Sequence, residues 1–505
     1  MTVDVVIIGS GIGGLSCGAL LARYGFRVVV CESHSIAGGA AHGFERNGFL
    51  FDSGPSLYSG LSYRPSANPL RQVLDAIGED AEWVNYDTWG CCLPEGDFPT
   101  KVGGDDFIGL LSRLRGENAV REWKRLQEVM SPLSSATQAL SPAAVRLDLG
   151  AVVTLGRSLP NFLPHALNAF QLSGAFGPIL NRTVSDRFIR NWMDLLCFLL
   201  SGLPADGTSA AEVAFMFADW YRPNVVLDYP IGGSAALVEA LARGLKKYGG
   251  ELRLNAHVEE ILLEKNRAIG VKPRNGQEIR ASLGVVSNAS IWDTRPLLPP
   301  GTLPNNAPPA LDSFLHLHLG IDGKDLPPDL HCHYIVVNDW DAGITAPGNV
   351  VVVSIPSLLD SSLAPDGKHT VHVYTPANEP FHLWEGLKRG SEAYEKQKAE
   401  RAEIMWKALE RVILDVRSRC EVTLIGTPLT HARYLRRHRG SYGPGIAAGK
   451  GFFPGGKTPI DGLWCCGDST FPGIGLPAVA ASGTIVANTF APIARHLSLL
   501  SDLGL

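Results

Sequence analysis

Two stretches near opposite ends of this 505-residue chain carry residue types and spacings suited to chemistry. Close to the C-terminus, an apolar strand over Leu463 to Cys466 ends in Gly467-Asp468-Ser469-Thr470-Phe471-Pro472-Gly473-Ile474-Gly475-Leu476-Pro477-Ala478 and runs into a helix of small residues. A helix that opens with bare backbone N–H groups suits an anion or an electron-rich carbonyl. Asp468, beside a glycine at a strand end, suits a sugar or ribityl hydroxyl. Near the N-terminus, Gly9-Ser10-Gly11-Ile12-Gly13-Gly14 lies between the apolar run Val5 to Ile8 and a small-residue helix over Leu15 to Tyr24. A second apolar strand, Arg27 to Cys31, ends in Glu32, 18 residues after Gly14. Strand, glycine loop, helix, strand and acid together make a dinucleotide-binding fingerprint.

Each residue has a part in that reading. Gly9 permits the tight turn, Gly11 lets backbone approach a pyrophosphate, and Gly14 lets helix and strand pack closely, with Gly13 among the cofactor-binding glycines. The helix N-terminus faces the phosphates. Glu32 can accept hydrogen bonds from both ribose hydroxyls and would repel a 2′-phosphate, which disfavours NADP. The Gly38-Gly39 pair is either an ordinary turn or, as in two-domain flavoproteins, a second loop approaching the pyrophosphate and flavin. No second Gly-x-Gly-x-x-Gly occurs, which argues against reductases with an internal NAD(P)H domain. The expected cofactor is FAD, held at both ends of the chain.

The elements that position these loops follow from length and patterning. The chain is 45% hydrophobic and 19% charged, with a net charge of −5, so it has ample core and no nucleic-acid footprint. Nine cysteines include the adjacent pairs Cys91-Cys92 and Cys465-Cys466 but no Cys-x-x-Cys, as expected of reduced, buried thiols. The expected fold is α/β: a Rossmann-like FAD domain of the glutathione-reductase type over 1–70, 226–300 and 445–495. A helical subdomain occupies 71–225 and a mixed-sheet substrate domain 301–444. Within the FAD domain Val258 begins a strand whose backbone is expected beside the adenine. A long helix is predicted over 391–417, capped by Ser391.

Aromatic residues crowd the helical segment, among them Phe162, Phe170, Phe176, Trp192, Phe198, Phe217 and Trp220. Packed amphipathic helices explain them; so does a lipophilic tunnel with a surface that dips into a membrane. The apolar stretch from Ser158 to Asn181 is broken by three prolines, so no spanning helix is expected. The first strand starts within a few residues of Met1, leaving no room for a leader; a transit segment trimmed away would give the same start. His316, His318, His331 and His333 suggest a metal at first sight, yet no acid completes a ligand set, and sheet-facing or tunnel-lining histidines are the preferred reading. No metal is expected. Arg433, Arg436, Arg437 and Arg439 read as a solvated basic face or as an attraction to anionic lipid.

Taken together, the two end motifs resemble the carotenoid isomerase and phytoene desaturase family. Phe51-Asp52-Ser53-Gly54-Pro55, Gly232-Gly233, Asn338-Asp339-Trp340 and Arg439-Gly440-Ser441-Tyr442-Gly443-Pro444 carry the resemblance through the chain, closest to the carotenoid-isomerase-like branch. It implies non-covalent FAD over a long apolar cavity, with Asp468 on the ribityl chain and the helix after Gly475 aimed at flavin N1 and O2. Desaturases of the family place Arg after the Gly-Gly pair, where this chain has Ala40. The implied activity is cis–trans isomerisation of a polyene with reduced FAD; desaturation, saturation and hydration are the alternatives. Further rivals are a flavin amine oxidase and a non-catalytic lipid-escort protein. The implied partners are a lipophilic polyene and a membrane surface. The implied location is peripheral, on the cytoplasmic side of a bacterial or cyanobacterial membrane, or in a plastid. No catalytic acid or base stands out by spacing.

Overall fold

A computed structural model describes residues 2–505 apart from Ser158 and Asn305. Its first sheet grows from Thr2–Ile8, whose last four residues are buried on both faces, as a parallel strand under helices requires. Val28–Cys31 pairs parallel on one side and Ile279–Ser287 on the other. The order is Glu251–Arg253, Val28–Cys31, Thr2–Ile8, Ile279–Ser287, Arg267–Pro273, Val258–Glu264. Leu463–Cys465 adds parallel to the C-terminal end of Ile279–Ser287, so the two chain ends meet in one sheet.

The helix Ile12–Arg23 lies against Leu476–Phe490, and small residues decide how closely. A methyl group on Gly483 would sit 2.2 Å from the Gly13 carbonyl oxygen, far inside contact distance. The small-residue composition of the C-terminal helix therefore brings its backbone onto the glycine loop.

The second sheet runs Cys420–Gly426, Ser313–Asp322, Lys368–Glu379, Val350–Ser354, His333–Val337, Thr88–Leu93, Gly96–Lys101. The last two strands come from inside the segment read as helical; the pairing of Tyr334 to Val336 with Gly90 to Cys92 draws them in. On one face Leu315, Leu317, Leu319 and Ile321 pack under the helix Glu392–Glu410. Ser391 caps that helix by accepting from the Tyr394 N–H. The helix ends before the predicted 417 because Ile413 and Val416 turn into the core.

The helices Gly104–Arg115, Glu117–Ala139, Arg187–Ser201 and Ala210–Trp220 share a separate core. Phe176, Trp192, Phe198 and Phe217 are buried in it, so these aromatics are packing residues. Among the described residues, no helix is long and apolar enough to cross a membrane.

Candidate flavin site

Gly9 turns the chain out of the first strand at φ +91°, and the loop it begins is packed to its limit. A methyl on Gly14 would lie 2.2 Å from the Gly9 carbonyl. One on Gly13 would lie 2.9 Å from the Val479 carbonyl and 3.2 Å from Gly467 Cα. The N-terminal and C-terminal glycine loops thus touch. Gly38 and Gly39 close the third side: Gly38 N–H donates to the Ser10 carbonyl at 3.0 Å, and a methyl on Gly39 would meet Gly11 Cα at 3.2 Å.

Asn288 joins these loops. It follows the strand Ile279–Ser287, and its N–H donates to the Ile8 carbonyl at 2.8 Å. Its side chain is the nearest neighbour of Gly9, Gly11, Gly13 and Gly467. A single Asn after a strand gives no sequence signal, which is why reading the motifs alone passes over it.

No side chain caps the helix Ile12–Arg23, so its first N–H groups are open to a ligand. Glu32 is buried; its Oε2 accepts from Ser10 N at 2.8 Å and Ser10 Oγ at 2.6 Å, and its Oε1 from His34 N at 2.8 Å and Ser33 Oγ at 3.2 Å. The two serine hydroxyls are bonds that sugar hydroxyls can replace. The backbone before Val258 lies alongside, with Ala256 N–H donating to the Glu32 carbonyl at 2.7 Å.

The helix Leu476–Phe490 is likewise uncapped. Its N-cap, Gly475, has φ +100° and nothing within 4 Å of where a Cβ would point. Leu476 and Pro477 form the first turn, and proline costs nothing there because the first N–H groups have no intrahelical partner. Gly467 N–H donates to Ser482 Oγ at 3.1 Å, fixing the loop to the helix. Asp468 forms an ion pair with Arg437 at 2.6 Å. Arg437 also donates to the Ser441 and Tyr442 carbonyls at 2.9 and 2.7 Å. It is therefore not part of a solvated basic face; it turns inward and supplies a cation beside the acid, on a chain that has Ala40 after its Gly-Gly pair. Two bare helix N-termini, a buried acid and loops without room for a Cβ fit a dinucleotide with a pyrophosphate and an electron-rich ring.

Asp52 is structural. Oδ1 accepts from Ser234 N and Oγ, both at 2.7 Å, and Oδ2 from Tyr229 Oη at 3.0 Å. A methyl on Gly233, at φ +72°, would strike that carboxylate at 2.5 Å. The Phe-Asp-Ser-Gly-Pro and Gly-Gly motifs are thus two halves of one helix start. Burial raises the Asp52 carboxyl above its ordinary range, and the Ser234 and Tyr229 bonds oppose that shift.

The second sheet carries His316, His318, His372 and Tyr374 on its strands Ser313–Asp322 and Lys368–Glu379. Ile474 lies against Gly443, and the neighbouring Tyr442 packs edge-on to Phe314, with ring centroids 5.3 Å apart. His318 Nε2 donates to the Asp52 carbonyl at 3.0 Å, and Tyr374 Oη meets Ser56 Oγ at 3.0 Å. His331 stands apart beside Tyr334, and His333 stacks on Tyr86. The histidines that gather round His316 are instead His318, His372 and His431; the last two lie on other elements with no His-x-His spacing to announce them. Burial lowers all four: His318 to about 4, His431 to about 3, and His316 and His372 well below the ordinary range. Ligand atoms of His316, His318 and His372 lie within 4.8 Å of one another. Yet His316 Nδ1 and His372 Nε2 face each other at 2.8 Å, a hydrogen bond. Two nitrogens on one zinc ion sit about 3.3 Å apart.

Residues 12–489 match the family model for flavin-containing amine oxidoreductases. The prolycopene isomerase of Daucus carota is 33% identical over 99% of this chain and 80% of its own length. That of Arabidopsis thaliana is 32% identical over 97% of this chain and 82% of its own. Among solved structures, a putrescine oxidase variant superposes with a TM-score of 0.63 at 16% identity, over 99% of each chain, which supports the fold. The chain is an FAD protein of the flavin-containing amine oxidoreductase family, within the group that holds carotenoid isomerases and desaturases.

Proposed function

We propose that this protein isomerises cis double bonds of a carotenoid-like polyene, using reduced FAD and no net redox change. The observation that carries the reading is the full-length relationship to prolycopene isomerases at 33% identity. The second-sheet face that carries Phe314, Tyr374 and histidines held neutral by burial supports it: aromatic rings without charge suit the neighbourhood of an apolar polyene.

Bound FAD supplies electron density to the polyene when reduced. The protein's own contribution is orientation and electrostatics. Asp468, held by Arg437, presents acceptors to the sugar-alcohol chain. The bare N-terminus of Leu476–Phe490 stabilises negative charge brought before Gly475. The glycine loops and Asn288 fix the pyrophosphate end.

The substrate dissolves only in lipid, and the surface offers a place to meet it. Leu149, Val152, Leu163 and Phe170 are 91%, 76%, 61% and 87% exposed, all within residues 149–170. Such a concentration of apolar side chains suits insertion into a bilayer surface. A cleft of about 660 Å³ opens beside it, lined by His165, Phe217, Tyr221 and Arg222. We assign this region to peripheral membrane contact and substrate entry. The test is turnover of a cis-polyene in liposomes by FAD-loaded protein, with the flavin reduced or oxidised, followed by chromatography and mass of the product.

A further inference from the structure

The buried histidines are more than a neutral lining. His316 Nδ1 pairs with His372 Nε2 at 2.8 Å, and His316 Nε2 pairs with His431 Nε2 at 2.6 Å. The His316 and His431 ring planes are parallel within 4°, with centroids 4.7 Å apart. Three rings from three elements therefore form one hydrogen-bonded line: Lys368–Glu379, Ser313–Asp322 and the helix Pro428–Tyr434.

Counting protons constrains this line. Three neutral imidazoles have six ring nitrogens and three N–H groups. The two hydrogen bonds use four nitrogens and two N–H groups. The remaining nitrogens, His372 Nδ1 and His431 Nδ1, are buried and have no partner among the described residues. One end must carry an N–H and the other a lone pair.

We propose that His372, His316 and His431 form a proton relay serving the flavin and polyene reaction proposed above. A proton from water adds to His372 Nδ1; the Nε2 proton of His372 passes to His316 Nδ1; the Nε2 proton of His316 passes to His431 Nε2; and the Nδ1 proton of His431 passes to a second water. Each ring ends neutral with its tautomer reversed, and the reverse order returns the proton. No charge is left behind in the low-dielectric interior. The surroundings favour this over a fixed imidazolium: among the described residues no carboxylate is paired with any of the three rings, and His318, His42 and Arg437 lie nearby as neutral or cationic neighbours. His431 lies within electrostatic reach of Arg437, the partner of Asp468, while His372 lies beside Tyr374, with centroids 4.9 Å apart.

The test has a structural arm and a kinetic arm, both on full-length protein. With [15N]histidine, the relay gives low-field ring N–H signals shielded from solvent, and neutral rings at pH 7. His316→Phe removes those signals and shifts the ring nitrogens of His372 and His431. Rings that ignore His316→Phe, or an imidazolium at His316, overturn the relay. So does stoichiometric uptake of added Zn2+ that His316→Phe abolishes. In the kinetic arm, His316→Gln keeps a donor and an acceptor for both neighbours but passes no proton. Its kcat falls about a hundredfold, the solvent isotope effect changes, and KM, FAD affinity and Tm stay near those of the unsubstituted protein. His316→Gln turning over at the full rate rejects the relay and leaves the isomerase reading standing. If the unsubstituted protein turns over no polyene, the isomerase reading falls and the spectroscopic arm alone decides the relay.

Discussion

Arg437 Nη1 stands 2.6 Å from Asp468 Oδ2, two residues far apart in sequence joined at the mouth of the flavin site. Both side chains are largely shielded, at 21% and 15% exposure, so this pair differs from a surface ion pair. The arginine also holds the carbonyls of Ser441 and Tyr442, so one guanidinium organises the acid and the loop that packs on Phe314. Arg437→Ala leaves a shielded carboxylate unpaired and should weaken FAD binding by about 1–3 kcal/mol, roughly fivefold to 150-fold. Quenching of flavin fluorescence on titration into apoprotein measures it. Arg437→Lys restores the charge without the three-way grip and should recover only part of the affinity.

The contact between the two glycine loops predicts which glycines are irreplaceable. Gly483→Ala drives a methyl to 2.2 Å from the Gly13 carbonyl, with backbone on both sides. It should cost about 1–3 kcal/mol of stability and abolish FAD retention during purification. Gly475→Ala meets open space and suffers only its φ of +100°. That change should keep the melting temperature within a few degrees while weakening flavin binding. Thermal melts of apo and FAD-loaded protein separate the two.

The buried histidines set an acid limit. His318, His333 and His431 are pushed by burial down to about 4, 3 and 3. The unfolded chain binds protons at these groups from the ordinary histidine range downward, while the folded chain does not. Stability is therefore full above about pH 6.5 and falls as pH drops toward 4, by about 1.4 kcal/mol per pH unit for each group. Urea denaturation from pH 7.5 to 4.5 should show the decline. His333→Phe, which keeps a ring against Tyr86, should make it shallower by one group's share.

The exposed apolar patch predicts a separation of binding from folding. Val152→Ser with Phe170→Ser removes side chains that touch little of the protein, so the melting temperature should not move. Co-sedimentation with liposomes should fall about tenfold or more, since each buried methylene contributes about 0.8 kcal/mol. Unchanged sedimentation would place the membrane contact elsewhere.

The two candidate half-sites for FAD were legible because their chemistry is local. A turn that needs Gly9, a helix that must open bare at Gly475 and an acid at a strand end each leave a mark in a few consecutive residues. The large second sheet was legible for the same reason in Phe314 to Gly320 and Val350 to Ile355, where alternation or unbroken apolarity betrays strands. What escaped notice depends on distance in sequence. Asn288 matters because four glycines crowd it, and Arg437 because Asp468 folds back to meet it. His372 and His431 join His316 through strand pairing and helix packing, which no spacing encodes. Thr88–Leu93 hid within a helical stretch because its partner, His333–Val337, lies far along the chain. The same logic explains Asp52 and Gly233, which as motifs carried the family resemblance and in three dimensions build a helix cap.

The central claim is isomerisation without net redox change. The most direct measurement loads the protein with FAD, reduces it without oxygen, and presents a poly-cis carotenoid in liposomes. A product of unchanged mass, shifted toward the all-trans isomer, is expected with reduced flavin and not with oxidised flavin. A product lighter by two hydrogens under oxidised flavin, heavier by two hydrogens under reduced flavin, or heavier by one water would contradict it.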